Sequence, residues 1–148
     1  MRQRKMNSKQ QIDPIITKIN GLDRLGNYLV KDFAEQGKDA DIIAKVCQNS
    51  LKPSQMRRFF DQARRIQRDI TYGREWLVIS PQISMLQPLL YYAKSRRVIP
   101  DEFLNIMRAS LAKIDKGRND AEKIENFQRF MEFFQAIVAY HKYYNPRG

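Results

Sequence analysis

Cysteine and histidine are nearly absent from this chain of 148 residues, which contains only Cys47 and His141. A single cysteine excludes an internal disulfide and a cysteine-rich metal site, and it fits a reducing compartment. Because the histidine lies far away in sequence, we interpret Cys47 as a small buried hydrophobe, not a nucleophile. His141 falls among apolar positions without an evident partner, which favours a partly buried histidine over a catalytic base.

Long hydrophobic runs are also missing. No run approaches the roughly 20 residues needed to span a bilayer, and the N-terminus lacks the apolar segment of a signal peptide, so we expect a soluble, cytoplasmic protein. We find no metal-ligand spacing, glycine-rich phosphate loop, nucleophile elbow or paired-carboxylate motif. The sequence therefore predicts no enzymatic activity, no metal and no cofactor.

Acidic residues are few, with 16 Asp and Glu against 27 Lys and Arg, a net charge of +11 and a pI near 10.0. The excess is concentrated in residues 1–11 at +4, residues 52–68 at +5 and residues 94–97 at +3. Localised basic patches favour an acidic partner, either nucleic acid or an anionic membrane surface. Composition alone does not choose between them.

One helix of about five turns is predicted over Leu51 to Ile70, LKPSQMRRFFDQARRIQRDI. Pro53 suits the first helical turn, and Gly73 suits the stop beyond the far end. At about 100° per residue, one face of this helix is an apolar stripe that requires a core. The stripe comprises Met56, Phe59, Phe60, Ala63, Ile66 and Ile70.

Arginines flank this stripe with almost no compensating carboxylate. Arg57, Arg64 and Arg68 fall within about 40° of one another, and Arg58 and Arg65 lie further round. An ordinary solvated helix face is the alternative, but such faces usually intersperse both signs, and here only Asp61 intervenes. Because the guanidinium fork matches phosphate oxygens and stacks on bases, the pattern favours a polyanion.

Upstream, residues 1–11 are polar and basic without periodicity, so we expect a disordered basic arm followed by a single helical domain over residues 12–148. Asp13 and Pro14 are typical of a helix start. The pattern then predicts two short helices or one weakened helix ending near Gly37, and a short helix capped by Asp39 or Asp41.

Downstream, Thr71 to Leu86 loses helical periodicity and is interpreted as a long connection, extended in part. A helix should begin at Pro88 and end in Lys94, Arg96 and Arg97, where the cations either cap the helix dipole or bind a ligand. Another helix follows Pro100.

The last helix, about Asp120 to Tyr144, has an apolar arc of about 200°, so it is either the bundle centre or partly a face for a partner subunit. In total the sequence predicts an all-α, compact single-domain bundle of about five to six helices.

Three segments, in this order and spacing, resemble a known family: LKPSQMRRFFDQARRIQ, LQPLLYYAKSRR and FQRFMEFFQAIVAYHKYY. They are similar to the small helical second subunit of the type III-A CRISPR (Csm) effector complex. The resemblance covers about residues 50–144, and the N-terminal third carries none of it.

The resemblance implies a non-catalytic antiviral-defence subunit that contacts target RNA and the guide–target duplex. Its partners would be guide RNA, target RNA, the backbone and large Csm subunits, and further copies of itself. The predicted RNA-binding residues are Lys52, Arg57, Arg58, Arg64, Arg65, Arg68, Lys94, Arg96 and Arg97.

Two alternatives remain at this point. A generic helical nucleic-acid-binding protein would usually show polar base-reading residues at the start of an exposed helix, where this helix offers only Gln55. An interaction scaffold or membrane-surface module would use its basic faces only for solubility and would show no salt-sensitive RNA binding.

Overall fold

The computed structural model describes residues 6–146, which are built from helices without a single strand. The described residues are 74% helical, which confirms the all-α prediction. The α-helices are α1 (Ser8–Asn20), α2 (Val30–Ala34), α3 (Asp39–Val46), α4 (Pro53–Thr71), α5 (Trp76–Ser84), α6 (Leu86–Ser95), α7 (Asp101–Ala112) and α8 (Asp120–Tyr144), and a 3₁₀ helix spans Leu25–Asn27. The six longer helices, α1 and α4 to α8, agree with the predicted five to six.

Helix α8 is the centre of the bundle and contacts α2, α3, α4 and the 3₁₀ helix. Two neighbouring phenylalanines serve opposite sides. Phe133 packs on Tyr28 and Phe33 with ring centroids 5.1 and 5.2 Å away. Phe134 packs on Phe59 of α4 at 5.4 Å. All four rings other than Phe59 are essentially inaccessible to solvent, so α8 fixes how α4 sits on the core.

The wide arc of α8 is thus mostly occupied within the chain. Its outlying tyrosines are also tied to neighbouring helices: the Tyr140 hydroxyl donates to the Ala34 carbonyl at 2.7 Å, and the Tyr144 hydroxyl donates to Asp41. Of the two interpretations of the arc, the bundle centre is the one these contacts support.

The N-terminal region differs from the prediction. Helix α1 begins at Ser8, because Asn7 and Gln10 form a reciprocal capping box, and Pro14 lies inside it. The expected disordered arm is therefore wrong over residues 8–11, while residues 1–5 lie outside the described part of the chain. Helix α1 buries Ile12 and Ile15.

A buried asparagine joins this N-terminal region to the rest. Asn126, fully buried on α8, donates from Nδ2 to the Ile114 carbonyl at 2.8 Å. Its Oδ1 accepts from the Gly26 N–H at 2.8 Å and from Arg24 Nη1 at 3.0 Å. Arg129 adds a bond from Nη1 to the Gly26 carbonyl at 3.0 Å. The Asn126 side chain thereby satisfies groups from two other segments of the chain, residues 24–26 and Ile114.

Neither predicted cap of α3 acts as one. Lys38 is the N-cap residue, and Asp39 and Asp41 lie inside the first turn, where carboxylates are favoured by the helix dipole. Both are buried, and each has partners: Asp39 accepts from Lys18 Nζ at 2.8 Å, and Asp41 accepts from the Gly37 N–H at 2.7 Å.

The interpretation of residues 71–86 as a partly extended connection is wrong. Trp76–Ser84 forms α5, and α6 then begins at Leu86, two residues before Pro88. Pro81 lies inside α5 and removes one backbone donor, but both it and the preceding-turn residue Leu77 face solvent. Water can therefore satisfy the carbonyl that loses its partner.

Candidate nucleic-acid interface

Helix α4 presents its arginines to solvent because its apolar stripe is held on the core. Met56, Phe59, Ala63 and Ile66 are buried, and Pro53 occupies the first turn as predicted. Phe60 is half-buried and packs edge-on against the Phe134 ring at 5.0 Å. All five arginines of α4 are exposed: Arg57, Arg58, Arg64, Arg65 and Arg68.

The arginines form two rows on either side of the exposed Asp61. The first row, Arg57, Arg64 and Arg68, runs along the α8 side, where Gln128 of α8 lines the same groove as Arg64 and Arg68. The second row, Arg58 and Arg65, runs along the side of α5 and α6. A further groove contains Arg57, Arg58 and Arg65 together, so the two rows bound one continuous surface.

Contacts within the first row help to orient it. The Arg64 guanidinium carbon lies 5.8 Å from the centre of the Phe60 ring, a cation–π geometry. Gln67 Nε2 donates to Gln128 Oε1 at 2.8 Å, which joins α4 to α8 at the base of the groove. The row thus lies on a helix, α4, that is held against α8.

None of these arginines is in an ion pair with a described residue. Elsewhere between residues 6 and 146, ion pairs involve Lys18, Arg24, Lys94, Arg118, Lys123 and Arg129. The guanidinium groups of α4, with those of Arg96 and Arg97, have no carboxylate within 4.0 Å in the described chain. Asp61, the carboxylate between the rows, forms no ion pair with them, so most of the positive charge of this surface is uncompensated.

The turn after α6 adds the second predicted cluster to this surface. The Lys52 N–H donates to the Val98 carbonyl at 3.0 Å, which places the start of α4 beside the end of α6. Arg96 lines a slot together with Arg58. Lys94, in contrast, pairs with Asp101 at 3.5 Å, so the structure gives this predicted residue a local partner.

Arg97 has a left-handed backbone conformation, with φ at 61°, and is the only non-glycine residue with positive φ in the described chain. It is the C′ residue of a Schellman motif. The Arg97 N–H donates to the Lys94 carbonyl at 2.9 Å, and the Val98 N–H donates to the Ala93 carbonyl at 3.2 Å. Helix α4 ends in the same motif with Gly73, at φ 82°, in the equivalent position. Arginine thus occupies a site that normally selects glycine.

Tyr92 and Gln128 belong to this surface although sequence reasoning did not single them out. Tyr92 is 62% exposed, and the Arg96 guanidinium carbon lies 5.6 Å from its ring centre. The i to i+4 spacing of Tyr92 and Arg96 on a predicted helix was the available signal. Gln128 gave none, because its proximity to α4 depends on helix packing.

The candidates for chemistry are buried in a different part of the molecule. His141 has a pKa lowered chiefly by burial, an effect partly offset by the backbone of Leu51 and Cys47 beside it. The two residues are thus neighbours, contrary to the separation inferred from sequence. Burial, with a smaller contribution from Glu102, raises the pKa of the Cys47 thiol to about 12, so it is the neutral thiol and a poor nucleophile.

No cluster of His, Cys, Asp or Glu side chains between residues 6 and 146 has the arrangement of a metal site. None of the helices in that range combines the length and hydropathy required to cross a bilayer.

Comparison with known proteins identifies a family for this chain. A search of curated proteins and a search of solved structures each found no similar protein. The family model described as Csm2 Type III-A matches residues 30–147. The match begins about 20 residues before residue 50 and includes α2 and α3. The range of residues assigned to the resemblance from the sequence was therefore too short. Because the match covers most of the chain, the chain belongs to the Csm2 type III-A family, whose members are small, non-catalytic structural subunits of the type III-A Csm effector complex.

Proposed function

We propose that this subunit binds RNA in the Csm complex by placing the two arginine rows of α4, and the turn after α6, along the backbone of target RNA and of the guide–target duplex. The chain itself does no chemistry, works in the cytoplasm, and contacts the backbone and large Csm subunits and further copies of itself. The residues proposed to face RNA are Lys52, Arg57, Arg58, Arg64, Arg65, Arg68, Arg96 and Arg97, with Lys94 behind them in its ion pair.

One observation carries the proposal: the arginines form a continuous exposed surface without an acidic partner among the described residues. Like charges at i, i+3 and i+4 spacing repel by a few tenths of a kcal/mol per close pair. The free protein therefore keeps an unfavourable arrangement that a polyanion would relieve. RNA phosphates, spaced regularly along a strand, are the polyanion available in this complex.

The chemistry of the side chains supports backbone contacts more than base reading. A guanidinium forms bidentate bonds with phosphate oxygens, and such contacts position a protein on nucleic acid without selecting sequence. We therefore expect binding that depends little on sequence and weakens steeply with salt. Family membership disfavours a role outside CRISPR, and a purely scaffolding role for the basic faces becomes an outcome of the test.

The test is an RNA salt titration of the full chain and of two matched triple variants. Arg57→Ala, Arg64→Ala and Arg68→Ala together should lower the magnitude of the log–log salt slope by about 2, since each lost single-strand phosphate contact removes about 0.7. The control replaces three exposed lysines of the α2–α3 region by alanine: Lys31, Lys38 and Lys45.

Both variants lose the same charge, so only a localised interface separates them. The lysine variant should retain most of the affinity and nearly the whole slope. If the two variants lose affinity equally, net charge explains the binding and the arginine rows are an ordinary solvated face. The same pair should be compared for target RNA binding by the assembled complex.

A further inference from the structure

The second arginine row borders a slot whose shape and lining are not those of a phosphate site. The slot lies between α4, α6 and α7 and encloses about 130 Å³. Its floor is apolar and buried: Phe59, Leu90, Ile99 and Phe103 are each at most 7% exposed. Phosphate oxygens would gain nothing from such a floor, because they would lose their hydration there.

The size of the slot fits one planar ring. A protein cavity of about 150 Å³ lined by aliphatic and aromatic side chains is known to hold a benzene molecule. A space of about 130 Å³ therefore accommodates a six-membered ring, whereas a larger fused ring system would protrude.

The rim of the slot contains the exposed Leu89, and its other members are polar groups without partners among the described residues. Two glutamines, Gln55 and Gln62, line it, and neither amide makes a side-chain hydrogen bond with a described residue. Arg58 and Arg96 stand at the same rim without an ion pair in residues 6–146. Tyr92, 62% exposed, completes the mouth.

We infer that this slot receives the base of one unpaired nucleotide, a single-ring pyrimidine by preference, while Arg58 and Arg96 hold the phosphates on either side of it. The inference rests on the proposed RNA-binding function and adds a base-specific contact to it. An apolar ring meets the apolar floor, the amides bond the edge of the base, and the guanidinium groups meet its backbone.

A protein side chain is the competing occupant, and the rim argues against it. A phenylalanine or leucine of a neighbouring subunit would fill the apolar space, but it would leave both amides and both guanidinium groups without partners in a partly desolvated contact. A nucleotide satisfies the floor and the rim at once.

The first experiment compares binding of two single-stranded RNAs, each about 12 nucleotides long, to the full chain. One is an oligouridylate, and the other has the same backbone with abasic riboses. We expect the oligouridylate to bind about tenfold more tightly, the scale of one seated base. Equal binding of the two would overturn the slot while leaving phosphate binding intact, whereas failure to bind either would overturn the proposed function as well.

Filling the slot gives the second arm. Ala93, half-buried on α6, lines it, so Ala93→Leu adds apolar atoms there without changing an arginine. The variant should lose the preference for uridine and keep the salt slope of the parent. Ala139→Leu, at an exposed position of α8, is the matched control and should behave like the parent.

A third readout works on the unmodified chain and so does not depend on how a variant folds. RNA containing 5-bromouridine, irradiated on the chain and on the assembled complex, should crosslink to the peptide containing Tyr92 or to the one containing Phe59. Crosslinks found only at other peptides would overturn the inference. It would also be overturned if Ala93→Leu kept the preference for uridine but lost binding to a partner protein.

Discussion

Arg97→Gly should stabilise the fold and weaken RNA binding, two effects that ordinary loss of a side chain does not combine. The left-handed backbone at φ 61° costs an L-residue about 1–2 kcal/mol, which glycine avoids. Glycine in turn raises the unfolded-chain entropy by about 0.4–1 kcal/mol. The net gain is about 0.5–1 kcal/mol, or about 2 °C in Tm for a chain of this size.

The other helix end supplies a control for this value. Gly73 occupies the same C′ position after α4, at φ 82°, and an added Cβ there would meet no atom within 4 Å. Gly73→Ala should therefore lose stability through backbone conformation alone. If the reasoning holds, it lowers Tm by about as much as Arg97→Gly raises it.

RNA binding is measured on the same samples. Removing one phosphate-binding arginine should reduce the magnitude of the single-strand salt slope by about 0.7. A lower Tm for Arg97→Gly would show that the Arg97 side chain supports the fold, contrary to its exposed position. A higher Tm with unchanged RNA binding would refute the RNA role of this residue.

Two further predictions concern the core. Phe59→Ala should cost about 3–5 kcal/mol in the free energy of unfolding, because the ring is only 7% exposed and packs on Phe134; in urea denaturation, a loss below about 1 kcal/mol would contradict this packing. Burial lowers the pKa of His141 in the folded chain, so below about pH 6.5, the pKa of an unfolded histidine, the unfolded chain binds a proton that the folded chain does not. The free energy of unfolding should therefore fall as the pH decreases through about 6.5. Denaturation between pH 8 and pH 5.5 measures this loss, which is limited to about 1.4 kcal/mol per pH unit and should disappear in His141→Phe.

Much of the helical framework could be predicted because its signals are local. The 3.6-residue period and Pro53 give α4 to within two residues, and the bounds of α8 are those expected. Helix α5 was missed because its apolar residues do not form one stripe: Trp76 is buried while Leu77 and Val78 face solvent. Pro81 reinforced the error.

The candidate interface, like the fold, could be predicted only in part from the sequence. The arginine rows follow from helical projection, and whether they bind RNA stays a prediction. Their relation to the rest of the surface depends on packing between distant segments, so the slot that Arg58 and Arg96 share could not be predicted from the sequence. The left-handed conformation of Arg97 was also hidden, since sequence rules assign that conformation to glycine.

The buried amide of Asn126 bears on where this family's fold begins. The family match starts at residue 30, yet the Gly26 N–H and Arg24 bonded to that amide lie before it. Cutting the chain at the match boundary would leave the buried Asn126 oxygen and the half-buried Arg129 guanidinium without these partners. A buried neutral group that loses its partner costs about 1–3 kcal/mol of folding stability. The start of the family match is therefore not a folding boundary, because Arg24 and Gly26 belong to the same packed structure as α8.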